Sequence, residues 1–340
     1  MELGILVSLL LLLLILGVPV AFALGVSSLV TFYVLDIPLV VAFQRMAAGM
    51  NVFSLMAIPF FVFAGDLMHR AGIAERLIRV ADAALGRTRG GLGQVDVAAS
   101  MLFGAVSGSA IASVSAMGSS LGPMMREKGY DADYAVNVSA TAAITGLLIP
   151  PSHNMIIYAA AAGVSISLAD LFLAGVFPGL MTGFMLMIAA WVVAVKRNYP
   201  RGSFPGWRAF LLAVVGAIPG LVAAAIIVVG VLSGMFTPTE SSGVAVVYTI
   251  LVALLVYRSL SWDGFKAATA AAVRTTAMVM MVIGAAAAFG WLLALLEAPA
   301  QLADLLHGIT SDPILLLLLI NIVLLLLGTF MDMAPLIIIT

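Results

Sequence analysis

Three short runs of this chain place hydroxyls, small residues and a carboxylate inside otherwise apolar sequence. The first, FGAVSGSAIASVSAMGSSLGP from Phe103 to Pro123, carries Ser107, Gly108 and Ser109 in a hydrophobic stretch. Glycine tolerates positive φ and serine adds a hydroxyl acceptor, so a turn here aims carbonyls and hydroxyls at a desolvated cation. The second, LIPPSHN from Leu148 to Asn154, sets Pro150 and Pro151 before Ser152, His153 and Asn154. The prolines remove two backbone donors and interrupt a helix that begins near Asp133, freeing carbonyls around Thr145 to Ile149. The third, LLLLGTFMDMAPLII, holds Gly328, Thr329 and Asp332. A carboxylate with such flanks is costly and marks function. Structural roles compete with each reading: small residues let helices pack closely in lipid, a proline pair can merely kink a helix, and an aspartate can be protonated or internally bonded.

Enzymatic chemistry fits poorly. Ser107 or Ser109 with His153 imitates an intramembrane serine hydrolase, but neither serine sits in G-x-S-x-G and one histidine lacks an orienting acid. The sequence has no HExxH, no GxxxxGK[ST] and no dinucleotide fingerprint, so energy must come from an ion gradient or a partner. With no cysteine there is no disulfide, zinc cluster or thiol nucleophile.

The elements that position these runs are membrane helices. Of 340 residues, 64% are hydrophobic and 9% charged, against roughly 25% charged in an ordinary soluble domain; the mean hydropathy is +1.22. At about 20 residues per spanning helix, there is room for about eight to ten crossings. A net charge of -1 without a basic block argues against nucleic acid. Apolar segments fall at about 3–34, 50–68, 133–163, 169–195, 209–232, 241–257, 275–296 and 313–340, with the serine-rich run at 93–123. The apolar first thirty residues lack a basic n-region and a clear cleavage site, and read as a membrane segment rather than a signal peptide.

Charge sorts the loops. If 93–123 dips in and returns to the same side, loops 69–92, 124–132, 196–208 and 258–274 share one face and hold fourteen of the fifteen Lys and Arg, Arg45 being the exception. The opposite face carries Asp170, Glu240, Glu297, Asp304 and Asp312. The positive-inside rule makes the basic face cytoplasmic. A single crossing by 93–123 would scramble this sorting, so the pattern predicts a re-entrant hairpin over 93–125 and a broken helix over 133–163. Non-helical backbone at membrane depth survives only where protein or a watery cavity covers it, and two such breaks close in sequence point to an ion or solute site.

Gly72 to Gly91 and Trp262 to Thr276 have helical periodicity with apolar and charged faces, and read as helices lying along the membrane surface or as solvated connectors. In GMFTPTESSG, Thr237 or Thr239 suits a helix cap with Glu240 at the positive end of the dipole. A weak repeat relates Ser54–Leu77 to Ala277–Leu302 and FGAVSGSAIA to LLLGTFMDMAP. Its copies begin on opposite faces, as inverted repeats of secondary transporters do.

SGSAIASVSAMGSSLGPMMREKGY, LIPPSHNMIIYA, GMFTPTESSGVAVVY and LGTFMDMAPLIIIT, in this order and spacing, resemble the large membrane subunit (DctM-like, ion transporter superfamily) of the TRAP, tripartite ATP-independent periplasmic, transporters. The resemblance spans almost the whole chain. It implies an all-α polytopic inner-membrane protein, an inverted-repeat elevator-type transporter with re-entrant helical hairpins and broken helices. It also implies sodium as coupling ion with no other cofactor, and an organic acid delivered by a periplasmic solute-binding protein to a complex with a small membrane subunit. Carried over by position, one sodium site uses Ser107, Gly108 and Ser109 with Pro150, Pro151 and Ser152. A second uses Gly328, Thr329 and Asp332 with a downstream break. The solute lies between the two tips, near Ser109, His153, Asn154 and Asp332.

The implied organisation is scaffold helices over 1–68, an interfacial arm over 69–92, a first transport repeat over 93–195, scaffold helices over 209–257, a second arm over 258–276 and the start of a second repeat over 277–340. His153 and Asn154 depart from the less polar pair expected after the prolines. The second repeat ends after one hairpin limb, so by comparison with 110–195 about eighty residues are expected to be missing. The rival readings are a stand-alone ion-coupled carboxylate symporter and a non-transporting membrane scaffold or receptor.

Overall fold

The computed structural model describes residues 2–162, 166–310, 312–329 and 333–339. Their regular structure is helical, apart from one isolated antiparallel bridge between Arg89 and Arg201. Over the apolar stretch 3–34, which the sequence leaves able to fold in more than one way, there are two helices, α1 (Glu2–Ile15) and α2 (Val20–Val34), packed on each other. Gly17, at φ 77°, and Pro19 separate them. Glycine takes that angle without strain and proline lacks the donor to continue a helix. Next come α3 (Leu39–Met50), a 3-10 turn, α4 (Ala57–Arg70), α5 (Ile73–Leu85), α6 (Gly91–Ser107) and α7 (Ala110–Glu127).

The broken stretch resolves into α8 (Ala132–Ala142), the single turn α9 (Thr145–Leu148) and α10 (His153–Ala161), with a 49° bend across the proline pair. After it run α11 (Leu168–Lys196), α12 (Trp207–Leu232), α13 (Pro238–Leu251) with a π-helical end, α14 (Trp262–Leu295), α15 (Ala298–Ile309), α16 (Pro313–Gly328) and α17 (Met333–Ile339). Among the described residues, four helices are long and apolar enough to cross a bilayer: α11, α12, α13 with its π-helical end, and α14. The number is six if two bent pairs each count as one span. That is fewer than composition alone allows. Much of the apolar sequence lies in short helices such as α1, α2, α6 and α16, of 14 to 17 residues, or about 21–26 Å long against a hydrocarbon core of about 30 Å.

The helices form two packing units. One gathers the chain up to Leu55 and from Thr276 onward. Its core joins Leu6, Leu24 and Phe32 to Ala286, Phe289 and Leu292. Phe32 stacks on Trp291 with ring centroids 5.4 Å apart, and Arg45, the exception to the charge sorting, lies 4.8 Å above the same indole; a cation over a tryptophan face is stabilised by the ring quadrupole.

The other unit runs from Met56 to Ala159 and on to Thr275, and so combines α4, α12 and α13 of the expected scaffold with the serine-rich hairpin. The expected first arm, α5, buries Ile73, Ala74, Leu77, Ile78 and Ala81 against this unit, packing on α6 and α12, while Glu75, Arg79 and Asp82 stay exposed. The expected second arm is not a separate helix. It is the first part of α14, because no proline or other break intervenes between Trp262 and Leu295.

Candidate functional site

Helix α6 ends where Gly108 turns left-handed, at φ 61° and ψ 14°, with its N–H donating to the Gly104 carbonyl at 2.8 Å. Ser109 is extended and caps α7, its hydroxyl accepting from the Ala112 N–H at 3.3 Å. The Ser107 hydroxyl accepts from the Ser109 N–H at 3.4 Å. The tip of this hairpin is thus Ser107–Gly108–Ser109. It is buried at Ser107 and Gly108 and backed by α4, where a Cβ on Gly65 would lie 3.1 Å from the Ser107 Cα.

The tip meets the proline break. A Cβ on Gly108 would lie 2.5 Å from the Pro151 carbonyl oxygen, and one on Gly104 would lie 2.4 Å from the Gly146 Cα. Pro150 and Pro151, joined by a cis peptide, carry no N–H, so the carbonyls of Gly146 and Leu147 have no donor four residues on. The freed carbonyls begin at Gly146 and not at Thr145, whose carbonyl accepts from the Ile149 N–H at 2.9 Å. Ser152 is fully buried and its hydroxyl has no hydrogen-bond partner among the described residues; such an orphan costs roughly 1–3 kcal/mol unless a ligand satisfies it. Asn154 is buried and His153 half-buried at the start of α10. Helix α11 forms the wall: a Cβ on Gly175 would lie 2.6 Å from the Leu148 carbonyl oxygen, and one on Gly179 3.2 Å from the Ile149 nitrogen.

Both limbs of the hairpin start and finish at one end of the unit. Tyr130, just after α7, stacks near Tyr134 of α8 and Tyr199 beyond α11, with centroids 5.9 and 4.5 Å away. The start of α6 joins them, since a Cβ on Gly90 would lie 2.1 Å from Ala194 Cβ and one on Gly93 2.1 Å from the Tyr134 hydroxyl. That hydroxyl donates to the Ala190 carbonyl at 3.1 Å. Arg197 closes this end, donating to Asp131 at 2.8 Å and to both carboxylate oxygens of Asp133 at 2.9 Å. Asp133 first, then Tyr199 and Asp131, push the Arg197 pKa up and keep it charged.

Of the residues assigned to the second tip, Gly328 ends α16 and Thr329 follows it, exposed, with its hydroxyl bonded to the Leu325 carbonyl at 3.0 Å. Asp332 lies outside the described residues. Sequence reasoning missed Asp96, buried in α6, which accepts from the hydroxyls of Ser100 at 3.3 Å and Ser139. A lone acid inside QVDVAAS, with a serine four residues on, was the available signal. In GMFTPTESSG, Thr237 supplies the cap, accepting from the Glu240 N–H at 3.3 Å while the Glu240 carboxylate accepts from the Thr237 N–H at 2.8 Å.

The tip and break together are built from hydroxyls and carbonyls. Among the described residues there is no group of three or more His, Cys, Asp or Glu that could hold a metal ion; hydroxyl and carbonyl oxygens are ligands of the kind hard cations take. The profile of the tripartite ATP-independent periplasmic transporter DctM component matches residues 7–340. The chain belongs to this family. Similar DctM relatives include the 2,3-diketo-L-gulonate TRAP transporter large permease protein YiaN of Escherichia coli, 36% identical over 94% of the chain and 75% of the relative. The sialic acid TRAP transporter large permease protein SiaM of Vibrio cholerae is 37% identical over 93% of the chain and 74% of the relative. The C4-dicarboxylate TRAP transporter large permease protein DctM of the same organism is 36% identical over 96% and 76%. Members of this family are transporter permeases and not enzymes, and the chain is the large permease subunit of a TRAP transporter.

Proposed function

We propose that this permease subunit imports an organic acid, handed over by a periplasmic binding protein and driven by sodium bound where the hairpin tip meets the proline break. The observation that carries the reading is the contact of Gly108 with the Pro151 carbonyl beside the buried, unpartnered Ser152 hydroxyl. Unwound backbone carbonyls coordinate Na+ in broken-helix transporters, and this break frees carbonyls from Gly146 onward. Sodium is preferred over protons because the tip offers hydroxyls and carbonyls and few titratable groups.

The carboxylate solute class follows from the relatives, whose names give 2,3-diketo-L-gulonate, sialic acid and C4-dicarboxylates. At the first tip the solute contacts belong to Ser109, His153 and Asn154. Gly328, Thr329 and Asp332 form the matching second ion site of an inverted repeat. Support for the repeat is that α16 ends at Gly328 and α17 begins at Met333, much as α6 ends at Ser107 and α7 begins at Ala110. The protein works in the inner membrane with a small membrane subunit, the part that carries the tips moving as an elevator.

The test is uptake of labelled sialic acid, succinate and 2,3-diketo-L-gulonate into vesicles holding the full-length permease, the small subunit and the binding protein. Uptake of one of them under an inward sodium gradient, lost when potassium replaces sodium, is expected. Uptake indifferent to that exchange would refute sodium coupling, and uptake without the binding protein would favour a stand-alone symporter.

A further inference from the structure

We propose that Asp96 is a positioning residue for the ion site, holding the hairpin's first limb and the broken helix at one axial register. Three contacts tie α6 to the broken stretch. The Asp96 carboxylate accepts from Ser139 of α8, Gly104 meets Gly146 of α9, and Gly108 meets Pro151. Both chains advance in the same direction, from 96 to 108 and from 139 to 151, twelve residues each. On α6 that is about 18 Å. The two elements therefore run parallel, with a polar staple at one end, a bare glycine contact in the middle and the ion site at the other end.

The middle contact cannot fix register, since two glycines present no side chains to interlock. One residue of axial slip moves a helix about 1.5 Å, whereas a ligand constellation must hold to within about 0.5 Å. The polar staple supplies what the glycines lack. Asp96 has no exposed surface, and the partners seen for it are the two serine hydroxyls. A buried carboxylate is a costly way to fill space, and an apolar residue of similar size would pack more cheaply. Its cross-helix bond is the gain that sets it apart.

The two serines separate positioning from simple satisfaction of a buried group. Ser100 lies on the same helix as Asp96 and cannot set register between helices; Ser139 lies on the other element and can. The inference rests on sodium binding at the tip, so the experiment reads sodium directly. The purified full-length permease is titrated with NaCl against KCl at constant ionic strength, and the sodium-specific rise in unfolding temperature gives the half-saturating concentration.

For Ser139→Ala and Asp96→Ala the expected result is a half-saturating sodium concentration at least tenfold higher. Ser100→Ala should change it less than threefold, and Asp96→Asn, which keeps an acceptor, should restore most of the wild-type value. Where Asp96→Ala does not fold, the two serine variants decide. Equal effects of Ser100→Ala and Ser139→Ala, or an unchanged half-saturation in Ser139→Ala, would overturn the proposal. Absence of any sodium-specific shift in the wild-type protein would instead refute the ion site itself.

Discussion

Gly108 sits at a backbone angle and at a distance that each exclude a side chain. Its φ of 61° costs an L-residue about 1–2 kcal/mol, and an added Cβ would fall 2.5 Å from the Pro151 carbonyl oxygen. Gly108→Ala should therefore push the tip off the break and raise the half-saturating sodium for uptake at least tenfold, with insertion into the membrane retained. A sodium titration indistinguishable from wild type would contradict this placement. The tip was legible because polar residues interrupt apolar sequence, and the break because two prolines permit few alternatives. Gly65 and Gly146 were not, since each matters through a residue from a distant element and leaves no local mark. Asp96 stood in plain view, but its importance lies in Ser139, forty-three positions away.

Between elements, glycine serves two purposes that space alone distinguishes. Gly104 lies against the Gly146 backbone, whereas Gly118 of α7 has nothing within 4 Å of an added Cβ. Gly104→Ala should force α6 and α9 apart at about 1–3 kcal/mol, the usual range for overpacking. Gly118→Ala should be neutral or stabilise by up to about 1 kcal/mol through helix propensity. Thermal unfolding of the two variants in the same detergent checks the contrast, and equal shifts would mean that the glycine contact is not close. The positions of long helices such as α11 and α12 followed readily from hydrophobic length, but the joins did not. The Gly17–Pro19 turn divides the apolar stretch 3–34, whose folding the sequence leaves open, while Trp262–Leu295 fuses an expected arm with a membrane helix, because an amphipathic stretch running into an apolar one without proline gives no stop signal.

For the molecule as a whole, sidedness is the property most open to test, and the absence of native cysteine makes the test direct. Single cysteines at Arg87, Lys128, Arg201 and Arg258, all exposed in the structure, should label from the cytoplasmic side with an impermeant maleimide. One at Asp312, also exposed, should label from the outside. Lys128 reacting from the side opposite to Arg87 would mean that α6 and α7 cross instead of returning. At this scale the sequence makes its simplest prediction, since sorting loop charge requires only counting. Which helices pack together was the least legible, because α4, α12 and α13 share a core with the hairpin through buried residues such as Leu67, Ala217 and Val246 that look like any other apolar positions.

The wall behind the break has one more consequence. Gly175, Gly179 and Gly183 recur every fourth residue along α11, and the side chains reaching them include Met155 and Met101, with Ile149 between. Thioethers are flexible and yield to small movements. In mechanical terms this face of α11 is a rail and not a rack: a neighbour displaced along it would have few interlocked side chains to disengage. The bonds that would oppose such a displacement lie at the far end, in the Tyr134–Ala190 hydrogen bond and the Arg197 clamp.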